Sequence, residues 1–337
     1  MAQIDVAMSD FSDAAASTEA LGAPELKDLW WYEHCAHATH KAMTIALVKQ
    51  NGRRSLQGAS AEMKNDRDVV LVAVTQDGRA LKYASAELKA DRDFMLAAVT
   101  ATSIVPQYDR DFMLAAASTT AATSVVLQYA SVELRADRDV VLAAVKQHGN
   151  ALVHASAELK AESGIVLAAV TQHGGALQHA PAELQNDRDV VLAAVKENGY
   201  ALMSASAEMK NDRFVVLAAV KQNGNALEYA SPERKTDEDV VLAAVTQDGD
   251  ALMYVSAEMK NDKDVVLAAV KQNGIALQAA SDLMQNDRDV VLAAVKQIGY
   301  ALRYASAEMK ADPGLLWVAR AHSYFPYRAG RGVVRGG

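Results

Sequence analysis

The chain has 337 residues, a formal net charge of −8 and a single cysteine, Cys35. An internal disulfide is thereby excluded, and the acidic balance argues against nonspecific binding to nucleic acid or anionic lipid, both of which need clustered positive charge. Asp5, Asp10 and Asp13 stand where a secretory leader would be basic, and no apolar run approaches a membrane span, so a cytoplasmic protein is expected.

In chain order, residues 1–22 read as an acidic, flexible N-terminus. Ala23-Pro24-Glu25-Leu26-Lys27 matches Ser231-Pro232-Glu233-Arg234-Lys235, so 23–65 reads as a capping helix and a first imperfect repeat, with Trp30-Trp31 as an apolar cap. A unit of 25 residues then recurs through 66–319. Units open at Asp66, Asp91, Asp137, Asp187, Asp212, Asp237, Asp262, Asp287 and Asp312, with Glu162 once in that slot. Twelve residues after the opening acid comes a glycine in nearly every copy: Gly78, Gly149, Gly174, Gly199, Gly224, Gly249, Gly274 and Gly299. Residues 320–337 form a Gly/Arg-rich tail.

With the opening acid as position 0, positions +3 to +8 read Val-Val-Leu-Ala-Ala-Val, a string that could be a buried strand. The alanines and the Lys-Gln continuation favour helix, the charges match the helix dipole at both ends, and Asp312-Pro313 places proline at a first helical position behind an aspartate cap. The glycine at +12 is expected to end this helix in the left-handed conformation. Ser231-Pro232 and Pro181 mark a break near +18 or +19, so a short helix over +13 to +18 and a final turn over +20 to +24 complete the unit. A short fixed period of this kind is expected to give an all-α solenoid, in which each unit buries its apolar face against its neighbours.

The period fails over 91–136, where Asp91-Arg-Asp-Phe-Met-Leu-Ala-Ala is echoed at Asp109 and a Ser/Thr/Ala-rich stretch comes after it. The array is expected to be weakest there, with proteolysis starting between about Thr100 and Ser124.

The string Asp-Arg-Asp-Val-Val-Leu-Ala-Ala-Val-Lys-Gln-x-Gly-x-Ala-Leu-x-Tyr-Ala-Ser, found with small changes at 137–156 and 287–306, resembles the repeats catalogued as domain of unknown function 4116. The likeness covers roughly residues 40–312 and departs from the pattern at 91–136. It implies tandem α-helical repeats and supplies no activity and no catalytic residues.

No phosphate loop, paired cysteine ligands or activated nucleophile is present, so no enzyme and no cofactor are expected. His34, Cys35, His37 and His40 are of metal-binding types but lack ligands from a second element, and solvated histidines on a cap helix are expected instead. The variation between copies is more informative. Positions +14, +15 and +18 are nearly fixed as Ala, Leu and Ala, whereas +13, +16 and +17 change and are expected to share the outward face. They include Lys82, Tyr83, His154, His179, Tyr200, Met203, Tyr229, Met253, Tyr254, Tyr300, Arg303 and Tyr304. Tyrosine, histidine and methionine in an exposed row suit a surface for a protein or peptide partner. Unconstrained drift of a solvated stripe would vary as well. Single-stranded RNA, with tyrosines stacking bases, is the alternative, opposed by Glu228, Asp250 and the lack of phosphate-facing arginines.

Overall fold

The computed structural model describes residues 39–49, 53–101 and 126–322. Trp30-Trp31, the cluster of His34, Cys35 and His37, most of the proposed cleavage segment and most of the tail lie outside them. Among the described residues every regular element is helical. A complete unit is a ten-residue α-helix, such as Arg213–Gln222, then a 3-10 helix, Gly224–Tyr229, and then a final short turn or helix. Each long helix packs on the long helices of its neighbouring units, and from Gly149–His154 to Gly299–Tyr304 each 3-10 helix packs on its counterparts, giving an all-α solenoid.

The Val-Val-Leu-Ala-Ala-Val string serves this stacking because it carries two apolar faces. In unit 212, Val215, Val216, Ala219 and Val220 are all fully buried, at +3, +4, +7 and +8. The array ends show which face looks where. In the first described helix, Met43 and Leu47 at the +3 and +7 equivalents are 53% and 36% exposed, while Val48 is buried. In the last helix, Pro313–Ala321, Leu315 and Ala319 are buried but Leu316 at +4 is 36% exposed. So +3 and +7 face the preceding unit, and +4 and +8 the following one. Alanine at +7 keeps adjacent helices close, and each buried valine contributes about 1.5–3 kcal/mol.

The opening aspartate does two things. Asp212 accepts hydrogen bonds from the Phe214 and Val215 amides at 2.8 and 3.0 Å, capping its own helix, and it pairs with Arg188 of the previous unit at 3.2 Å. The same +1 cation to next-unit acid pairing recurs at Arg67–Asp91, Arg92–Asp137, Arg138–Glu162, Arg213–Asp237, Lys263–Asp287 and Arg288–Asp312. Burial opposes ionisation of Asp137, Asp237 and Asp287, but hydrogen bonds from these cations and from helix amides outweigh it, and their carboxyls sit below the ordinary range. The row breaks at Ser163, before Asp187, and at Glu238, an acid in the cation slot that precedes Asp262 and Asp264. Glu238→Arg is expected to raise stability by up to about 1 kcal/mol, read in a urea melt at low salt, with the gain shrinking in about 1 M salt.

The glycine at +12 has a different role from the one expected. The residue before it is extended, with φ −150° at Asn223, the glycine opens the 3-10 helix, and none of Gly149, Gly174, Gly199, Gly224, Gly249 and Gly274 is left-handed. Glycine is required by close approach: a Cβ on Gly199 would stand 2.6 Å from the Ala219 carbonyl oxygen of the next unit. The Gly199 amide donates to Gln222 Oε1 at 2.6 Å, and Gly249 likewise to Gln272 at 2.7 Å. Gln222 also donates back to the Glu197 carbonyl at 3.3 Å, so the +10 glutamine is a clamp between units. Gln222→Ala is expected to cost about 1–3 kcal/mol by orphaning a buried amide, while Gln222→Glu keeps an acceptor, as Glu197 does naturally for Gly174. Thermal melts of the two variants check this. Asp, Asn or His148 at +11 caps the 3-10 helix, as Asn198 accepts from the Tyr200 amide at 3.0 Å, whereas His173 makes no such bond.

A second seam runs through the serine at +19. Ser231 donates its amide to the Lys210 carbonyl at 2.9 Å and its hydroxyl to Asn211 Oδ1 at 2.6 Å, both in the preceding unit. Pro181 has no amide hydrogen, so this main-chain bond is missing there.

The irregular stretch is one unit with an insertion. From Asp91 to Asp137 there are 46 residues, 21 more than the period. Helix Arg92–Ala101 packs directly on Arg138–Gln147, Phe94, Met95, Ala98 and Val99 are fully buried, and the Ser131 amide reaches the Lys89 carbonyl at 3.0 Å. Stacking therefore continues across the stretch, against the expected loss of packing there, because the Asp91 copy keeps its apolar positions. The extra residues fall between its long helix and Val126, and 102–125 lie outside the described residues.

Candidate interaction surface

The variable positions lie on the 3-10 helices. Three residues per turn bring +13 and +16 onto one edge, with +17 beside them, rather than the single α-helical face expected from the sequence. Leu at +15 and Ala at +14 point inward, as Leu227 and Ala226 do at no exposure. Position +16 is exposed throughout, whereas +17 is half-buried in every complete unit. Stacking then makes a continuous ridge.

Among its neighbours at +23, Lys89, Lys160, Lys235, Gln185 and Gln285 turn back to the scaffold. Lys160 donates to the Val153 carbonyl at 2.7 Å, Lys235 to Glu228 at 2.7 Å, and Lys89 to Lys82 at 2.8 Å, each closing the end of a 3-10 helix. These three ammonium groups are thus engaged by main-chain carbonyls.

Side chains on the ridge group into patches. Lys82 stands 5.9 Å from the Tyr83 ring, and the Tyr83 hydroxyl donates to Gln57 at 3.3 Å. His154 and His179 sit on successive units, and the rings of His148 and His173, the preceding +11 residues, are 6.4 Å apart, edge to face. Tyr200 meets Tyr229 of the next unit at 6.1 Å, edge to face. Tyr254 stands one unit further on, and burial together with nearby Glu228 and Tyr200 raises the pKa of both Tyr229 and Tyr254. Met253 borders a notch of about 350 Å³ with Asp250, Lys260, Ile275, Gln278 and Ala279. Tyr300, Arg303 and Tyr304 close the ridge, with the guanidinium 4.8 and 5.3 Å from the two ring centres. The patch at Lys82 and Tyr83 lies two units before His154, with the Asp91 unit between them.

The notch is not evident from the sequence. Its one signal there is a gap: Ala279 interrupts a column holding Tyr229, Tyr254 and Tyr304 at the same position.

The histidines carry a pH dependence. Burial first, then the positive neighbours, lowers the pKa of His154 (Lys160, Arg135, His179), of His179 (Lys160, His173) and of His148 (His173). A base with a depressed folded pKa binds protons more readily when unfolded. Stability is therefore full above the unfolded value near about 6.5 and is lost as pH falls from there toward the lower folded values. Urea melts between about pH 7.5 and 5 are expected to show this loss in the native chain and less of it in His154→Gln/His179→Gln.

No helix among the described residues is long and apolar enough to cross a membrane. No curated protein and no solved structure matches the chain. A family model does, over residues 43–89, 70–103, 109–160, 164–209, 188–235, 237–285 and 273–310, together well over half of the sequence. The chain belongs to the family described as domain of unknown function, DUF4116.

Proposed function

We propose that this protein is a non-enzymatic, cytoplasmic scaffold whose 3-10 ridge binds an extended segment of a protein or peptide partner. One observation carries the reading. Of the twelve large hydrophobic side chains exposed among the described residues, five lie at +13 or +16: Val153, Tyr200, Met203, Met253 and Tyr300. Four more, Met43, Leu47, Leu316 and Trp317, are at the array ends, so the body of the solenoid concentrates its exposed apolar area on the ridge. Drift on a solvated stripe would favour polar residues there. The acids Glu228 and Asp250 on the ridge and the acidic net charge disfavour RNA.

The test is capture of native partners on the full chain beside Tyr229→Ala/Tyr254→Ala/Tyr304→Ala. The variant is expected to lose specific partners while keeping its helical circular dichroism, with a lowered melting temperature because the three rings pack against the core. Identical partner sets would remove the ridge from consideration, and capture of oligonucleotides with a steep loss in salt would favour RNA.

A further inference from the structure

Two tyrosine pairs on the ridge have nearly the same geometry and differ in what lies against them. Tyr300 and Tyr304 stand 6.1 Å apart at 82°, and Tyr200 and Tyr229 stand 6.1 Å apart at 76°. In the first pair the chain supplies its own cation, Arg303 at +16, whose guanidinium lies near both rings. In the second, the residue at +16 of the Tyr200 unit is Met203, and that of the Tyr229 unit is Glu228. Among the described residues no arginine or lysine lies over Tyr200 or Tyr229.

The surroundings of the second pair are negative. Glu228 adjoins Tyr229 and acts on both Tyr229 and Tyr254, and Asp250 and Asp248 act on Tyr254. Lys235 is turned to the Glu228 carbonyl. Tyr200 is 41% exposed and Met203 54%, so the pair is open on its Tyr200 side, while Tyr229 is half-buried. A ring face carries negative potential, and a carboxylate beside it adds to the attraction for a flat, weakly hydrated cation.

We infer that Tyr200 and Tyr229, with Glu228, form a receptor across two units for an arginine side chain of the bound peptide, much as Arg303 lies near both rings of the Tyr300–Tyr304 pair within one unit. This rests on the ridge being a peptide-binding surface. Arginine is favoured over lysine because its planar group stacks on rings and forks to a carboxylate.

The experiment is selection of a phage-displayed random dodecapeptide library on the full-length chain, followed by fluorescence anisotropy with the recovered peptides. Recovered peptides are expected to carry arginine, to lose at least about fivefold in affinity when that arginine is replaced by citrulline, and to lose similarly on Tyr229→Leu or Glu228→Gln. Met203→Arg supplies an internal cation beside Tyr200, as Arg303 does beside Tyr300, and is expected to block binding without unfolding the array. Peptides that depend on Tyr229 but tolerate citrulline would overturn the arginine receptor and leave the ridge as the binding surface. Peptides indifferent to every ridge variant, or no selected peptides, would overturn both.

Discussion

Gly199→Ala is expected to destabilise the array by about 3 kcal/mol or more, whereas Gly58→Ala is expected to stabilise it by about 0.4–1 kcal/mol. Two glycines of one chain should thus respond in opposite directions. At Gly199 an added Cβ would stand 2.6 Å from the Ala219 carbonyl oxygen and 2.9 Å from Gln222 Oε1, both in the next unit. The carbonyl belongs to a helix that cannot yield locally, so units 187 and 212 must move apart. That movement also weakens the Gly199 amide to Gln222 hydrogen bond. Gly58 closes helix Arg53–Gly58, and an added Cβ meets nothing within 4 Å. Alanine there only restricts the unfolded chain. Paired urea melts decide the matter, and a neutral Gly199→Ala would remove close approach as the reason for the glycine.

Leu227→Ala is expected to cost about 2–5 kcal/mol. Leu227 is fully buried at +15, on the inner side of a 3-10 helix whose neighbours on both sides are also 3-10 helices. Neither flank can close over the void without giving up its own stacking. Stability in such an array is a sum of unit and interface terms, so the damage should be local. Hydrogen exchange is expected to quicken in Arg213–Gln222, Gly224–Tyr229 and Glu238–Gln247 and to leave Arg288–Gln297 nearly unchanged. Uniform acceleration along the whole chain would show a cooperative body instead of a stack.

Much of this fold can be read from the sequence because the period repeats its signals. Val-Val-Leu-Ala-Ala-Val with an aspartate cap marks the long helix, and Ser231-Pro232 and Pro181 mark the break before the last turn. Contacts between units cannot be read in the same way. The +12 glycine looks like an ordinary helix stop, and only the carbonyl of a neighbouring unit shows why a side chain is excluded. The +10 glutamine reads as a solvated helix residue although it clamps two units. Likewise the second element is a 3-10 helix, since Asn198 or Asp248 at +11 holds the chain extended and caps the tighter turns of the next element. On the ridge, the variable positions are legible from the copies themselves. The pairing of Tyr200 with a ring one unit further on is not, because it depends on the offset between stacked units.

The most direct test of the ridge as the binding surface is photo-crosslinking in native lysate from single sites. A benzophenone amino acid is placed at Met203 or Met253 on the ridge, or at Lys221 or Lys271 on the exposed side of the long helices. Adducts of discrete mass are expected from the two ridge positions, and none from the two lysine positions. Equal adducts from all four sites, or adducts confined to Lys221 and Lys271, would contradict the account.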